Sequence, residues 1–163
     1  MVSTIERTLH EQALALAAAV TDPEIPVITI ADLGVLRSVE VGDKIVVVIT
    51  PTYSGCPAMD TIADDLRAAL APLGLPVEVR TTLAPAWTTD MITPAGRAAL
   101  ESYGIAPPGA VPHGEPTPLT LGVRCPQCGS IDTEELSRFG STSCKALWRC
   151  RACAEPFDHF KTL

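Results

Sequence analysis

The stretch 45-IVVVITPTYSGCPAMDTIADDLRAAL-70 changes its hydrophobic pattern partway along, and Cys56 stands at the change. Up to Ile49 the residues form an almost continuous β-branched run, as in a strand buried on both faces. From Pro57 onward the pattern predicts an amphipathic helix over 57–71, with Pro57 at the first helical position, where a missing N–H is tolerated. A strand, a short loop and a helix thus follow one another, with a single thiol at the front of the helix. The other five cysteines lie between Cys125 and Cys153.

Working outward, VLRSVEV precedes the apolar run and alternates, with Val35, Val39 and Val41 on one face. Gly42-Asp43 separates the two segments, so a β-hairpin is predicted. VEVRTTL, at 77–83, supplies a third strand. At the N-terminus ERTLHEQALALAAAV predicts a helix with Ile5, Leu9, Leu16 and Val20 toward its buried side. Ser3 and Glu6 form a capping box, and Thr21-Asp22-Pro23 is the stop, because a residue before proline is driven out of the helical region. DPEIPVITIADLG reads as an extended loop. Thr93-Pro94 opens another helix, PAGRAALESY, closed by Gly104. The stretch 105–119, IAPPGAVPHGEPTPL, has five of the fifteen prolines and no periodicity, which is a linker's composition. The expectation is an α/β (α+β) chain in three parts. Residues 1–104 build a small three-stranded sheet packed with helices, 105–120 form the Pro-rich linker, and 121–163 form a metal-stapled module.

A hydrophobic fraction of 47% with only 4% aromatic leaves Val, Leu, Ile and Ala to fill the core. The net charge of -7 argues against a nucleic-acid binder, which needs basic surface to neutralise phosphates. No apolar run approaches the ~20 residues that span a bilayer. Glu6, Arg7 and Glu11 interrupt any signal-peptide pattern, so a cytoplasmic location is expected.

In that compartment paired CxxC motifs hold metal more often than they form disulfides. Cys125 and Cys128 make one pair, Cys150 and Cys153 the other. Two tight turns facing each other can close a tetrahedral four-thiolate site, and a module of about forty residues needs such a staple to fold. Structural zinc is the favoured occupant. Cys144 is a fifth thiol, read as a small core residue or an alternate ligand, and it leaves open an iron–sulfur cluster on a different set of four.

Cys56 faces unpaired amides and the positive end of a helix dipole, an arrangement expected to lower a thiol's pKa. The opposing reading is a small buried core residue. Asp22, Glu24 and Asp32 form a second candidate cluster; on spacing alone they are turn carboxylates. His10, His113 and His159 have no partners at metal-ligand spacing and are read as surface residues. There is no phosphate-binding glycine loop and no dinucleotide fingerprint.

DPEIPVITIADLGVLRSVEV, a hairpin and then TPTYSGCPAMDTIADDL together resemble the SufT-like iron–sulfur assembly domain. The DPE stretch, the DLG turn and the Cys-Pro that carry the resemblance fall here on Asp22, Pro23, Glu24, Asp32, Leu33, Gly34 and Cys56. APAWTTDMITPAGRAAL, CPQCGS, FGSTSCKALWRC and EPFDHFK extend the likeness over residues 10 to 161, to the PaaD family of the phenylacetyl-CoA epoxidase system. The resemblance implies an accessory factor rather than the catalytic subunit. It would mature a metal centre of the oxygenase or reductase subunits, with Cys56, Asp22 and Glu24 handling transient iron or an iron–sulfur cluster, completed by a homodimer mate, a client or a small thiol. The zinc ribbon would then be structural or a docking module presenting Lys145, Trp148, Arg149, Arg151 and Phe157. A pure docking scaffold and an iron–sulfur electron carrier are the rival readings.

Overall fold

The structure, a computed structural model, describes residues 4–109 and 122–162. It divides into two compact units, Met1–Trp87 and Thr88–Leu163. In the first, β1 (Leu36–Val41) and β2 (Ile45–Ile49) form the expected antiparallel hairpin, with a register shift between Leu36 and Ser38. β3 (Val77–Thr81) pairs parallel to β2, giving the order β1-β2-β3. A parallel neighbour requires a crossover, and α2 (Ala58–Leu70) is that crossover. The central position of β2 explains why it is apolar on both faces.

α2 buries Ala58, Ile62, Leu66 and Leu70, one residue per turn along one stripe. Each of the three larger side chains contributes about 1.5–3 kcal/mol of burial, and a charge at Leu66, which is fully enclosed, would undo the packing. α1 (Thr4–Ala18) follows the predicted helix, but its tightest contacts come from Ala13 and Ala17, both fully buried, while Leu9 and Leu16 are half-buried. Small residues let this helix approach closely. The Ser3–Glu6 capping box and the Ile5 side chain lie outside the described residues.

DPEIPVITIADLG is not extended. It folds back on itself through an isolated bridge between Thr21 and Thr29, and Ile25, Ile28, Ile30 and Leu33 are each at most 2% exposed. The loop can be buried because side chains satisfy its backbone. The Asp22 carboxylate accepts from the N–H groups of Glu24 and Ile25 at 2.9 and 2.8 Å, and Thr29 and Asp32 exchange hydrogen bonds at 3.0 Å. Asp32 therefore serves this turn. The Trp87 indole N–H closes the loop by donating to the Leu33 carbonyl at 2.9 Å.

In the second unit α3 (Pro94–Ser102) starts at Thr93, whose hydroxyl accepts from the Gly96 N–H, and stops before Gly104 at φ 89°. The first two residues of the stretch expected as linker are instead a strand. β4 (Ile105–Ala106) pairs parallel to β7 (Pro156–Phe160), which runs antiparallel to β6 (Lys145–Cys150), itself antiparallel to β5 (Thr133–Ser137). Both β4 residues are buried, and that apolar burial holds so short a strand. Residues 110–121, including His113, lie outside the described residues. Among the described residues no helix is long and apolar enough to cross a membrane.

His159 is not a surface residue. It is half-buried against Trp148, with ring centroids 5.9 Å apart, and burial pulls its pKa down from 6.5 to about 4. The unfolded chain takes up a proton below pH 6.5 that the folded imidazole refuses until about pH 4. The stability is therefore intact above 6.5 and lost progressively between 6.5 and 4. His159→Phe should flatten that part of the pH–stability curve, as read by urea unfolding at pH 7, 6 and 5.

Candidate functional site

Cys125, Cys128, Cys150 and Cys153 converge, all four Sγ atoms lying within 4.8 Å of one another. Cys125 is 3.8 Å from Cys153, and Cys128 is 3.5 Å from Cys150. A tetrahedral zinc with bonds of about 2.3 Å would have ligand edges of about 3.8 Å, so this donor set fits zinc. Among the described residues it is the one group of three or more such side chains able to share an ion.

The two turns that present these thiols are near-copies. The Cys125 N–H donates to Ser130 O at 2.9 Å, and the Cys150 N–H donates to Glu155 O at 3.0 Å. The Ser130 and Glu155 amides donate to the second sulfur of each pair, Cys128 and Cys153. Both turns need a residue of positive φ directly after that cysteine: Gly129 at 75° and Ala154 at 63°. Alanine is strained there by about 1–2 kcal/mol, while glycine adds unfolded-chain entropy of about 0.4–1 kcal/mol. Ala154→Gly should therefore stabilise the second unit by a net ~0.5–1 kcal/mol, measured by thermal unfolding of the zinc-loaded chain, and Gly129→Ala should destabilise it.

The thiols are unequal without a metal. The Cys153 amide, together with other donors, pulls Cys150 down to about 7. Cys153 also accepts an amide, but burial and three neighbouring thiols push it up to about 12. Four thiolates this close repel one another, and a bound dication removes that penalty. Cys125 and Cys150 also belong to the small core of this unit with Ala106 and Phe157, against which Val123, Trp148 and Cys153 pack. Cys125 and Cys150 thus serve both the thiol cluster and the hydrophobic core.

Cys144 lies outside the quartet: it is buried, 3.1 Å from the Thr142 hydroxyl. The basic, aromatic face expected on this module forms only in part, with Arg149 and Arg151 exposed. Lys145 and Phe157 are buried, and Arg149 and Arg151 both pair with Glu134. Alternation along β6 and β7 turns residues inward that composition alone suggests are displayed.

Cys56, in the first unit, is half-buried. Pro57 is the N-cap of α2 rather than its first helical residue, so Cys56 precedes the cap. Its sulfur accepts hydrogen bonds from the Ala58 N–H and the Thr52 hydroxyl. Those bonds do not decide its acidity. Burial pushes the Cys56 thiol up, and the negative charges of Glu24 and Asp22 add to the rise, overturning the expectation of a lowered pKa. The same interactions place Cys56, Asp22 and Glu24 in one neighbourhood, while Asp32 remains in its turn with Thr29. Gly55, at φ 92°, takes the left-handed backbone region that leads the chain into Cys56, with no atom within 4 Å of where its Cβ would stand. Thr52 carries no sequence signal of its own, and only its position four residues before Cys56 could have marked it.

Residues 11–81 match the model of an iron–sulfur cluster assembly protein family, and residues 111–161 match the PaaD zinc beta ribbon domain. The chain is 47% identical, over 99% of its length and 98% of the other's, to a protein of Escherichia coli strain K12 named as one of the subunits of 1,2-phenylacetyl-CoA epoxidase. It is 36% identical to an Fe-S protein maturation auxiliary factor of Porphyromonas gingivalis, over 52% of this chain and 83% of that one. A crystal structure of a domain of unknown function, DUF59, from Bacillus anthracis matches 58% of this chain and 92% of its own, with a TM-score of 0.53 and 26% identity. The full-length identity and the ribbon match together decide the assignment: the chain belongs to the PaaD family of 1,2-phenylacetyl-CoA epoxidase subunits.

Proposed function

We propose that this protein is an accessory factor that helps mature the phenylacetyl-CoA epoxidase, with Cys56 as the residue that transiently holds iron or an iron–sulfur cluster. The observation that carries this reading is the company Cys56 keeps. It is a half-buried thiol on which the charges of Glu24 and Asp22 act, in the unit that matches the iron–sulfur assembly family. Carboxylates that disfavour a thiolate favour a cation, so iron binding would displace the thiol proton. Because the proton competes for the sulfur at neutral pH, the hold is reversible, as a carrier requires.

Cys125, Cys128, Cys150 and Cys153 would keep a resident zinc, which supplies folding energy rather than chemistry. The epoxidase as client rests on the family, and its oxygenase and reductase subunits are the partners this reading implies. The test is epoxidase activity in cells whose only copy of this protein carries Cys56→Ser. Loss of activity with the protein still folded supports the carrier role; full activity refutes it and leaves a docking scaffold.

A further inference from the structure

Building on that reading of Cys56, we propose that an adjoining cleft binds a small cationic aminothiol, which supplies cargo with a second thiolate. The cleft, of about 270 Å³, has Thr50, Pro51, Thr52, Leu83, Ala86 and Trp87 among its lining residues. Thr50 is fully buried and its hydroxyl has no hydrogen-bond partner, although its N–H is satisfied by the Val35 carbonyl. An unpaired buried hydroxyl is destabilising and rare, and its place in a cleft wall points to a ligand that engages it.

Cys56 does not itself line the cleft; the link is Thr52, which lines it and hydrogen-bonds the Cys56 sulfur. Cys56 is the only cysteine in residues 1–87, and among the described residues it belongs to no group of three or more side chains able to share an ion. A tetrahedral iron or cluster site therefore needs sulfur from elsewhere. The charge of the ligand follows from its surroundings. Residues 1–87 hold 11 of the acidic and 5 of the basic side chains, and none of the cleft's lining is cationic, so an anionic thiol is repelled. An ammonium can instead donate to the Thr50 oxygen and lie against the Trp87 ring, which its bond to Leu33 holds in place.

The test is an NMR titration of the zinc-loaded, iron-free full chain, kept reduced by a phosphine, with cysteamine, 2-mercaptoethanol and glutathione in turn. Cysteamine should shift the Thr50 and Thr52 amides and the Trp87 indole N–H saturably. Affinity should fall about tenfold in Thr50→Val and survive in Thr50→Ser, with 2-mercaptoethanol weaker by a similar factor. Glutathione should not compete. No saturable shift, equal affinity in Thr50→Val, or equal binding of glutathione would overturn the proposal. Because no iron is present, failure here leaves the carrier role of Cys56 intact. Conversely, full epoxidase activity with Cys56→Ser would refute that role without touching cysteamine binding.

Discussion

Cys56→Ser is expected to lower the affinity of the first unit for ferrous iron on the order of a hundredfold, because a hydroxyl cannot replace a soft thiolate ligand. Epoxidase activity in cells with this variant should fall to the level of cells lacking the protein. The fold should hardly notice. Cys56 is half-buried, Asp22 keeps its bonds to the Glu24 and Ile25 N–H groups, and serine is nearly the same size. Unfolding of the first unit should shift by less than about 1 kcal/mol. A scaffold that handles no metal predicts the opposite pair of results, activity retained and iron binding unchanged, so the two accounts separate on one variant.

Cys150→Ser is expected to act on the other unit and far more drastically. Cys150 is fully buried, pairs through its backbone with Thr133 in β5, contributes to the core beside Phe157, and belongs to the four-thiol cluster. The substitution removes a ligand and buries a hydroxyl at the same point. The apolar core that remains is too small to carry the sheet by itself. One equivalent of zinc per chain should be lost by metal analysis. Hydrogen exchange at β6 and β7 should approach the unfolded rate, while β1 to β3 stay protected. Retention of zinc together with protected β6 amides would contradict the account of the ribbon.

Local patterns made much of this legible. The hairpin around Gly42-Asp43, the Pro57-led helix, the Thr93 cap and the two CxxC turns each depend on residues within about ten positions, so spacing reveals them. What spacing missed depends on distant partners. Ile25, Ile28, Ile30 and Leu33 follow neither a helical nor a strand period, and their burial comes from a loop whose backbone Asp22 and Thr29 satisfy. Ile105 and Ala106 become a strand only because β7, fifty residues on, is there to pair with them. The helix end alone predicts an acidic Cys56, whereas burial and the charges of Glu24 and Asp22 dominate its acidity. Trp148 and His159 pack against each other on neighbouring strands, a contact no one-dimensional pattern displays.

Beneath these results lies one claim: this chain keeps one metal and passes on another. The direct measurement is anaerobic loading of the zinc-bound chain with ferrous iron, a challenge with excess chelator, and metal analysis over time for wild type and Cys56→Ser. The account predicts that wild type takes up iron and releases it rapidly to the chelator, that the variant takes up none, and that zinc stays in both. Equal iron uptake by the variant, or zinc leaving wild type as fast as iron does, would contradict it.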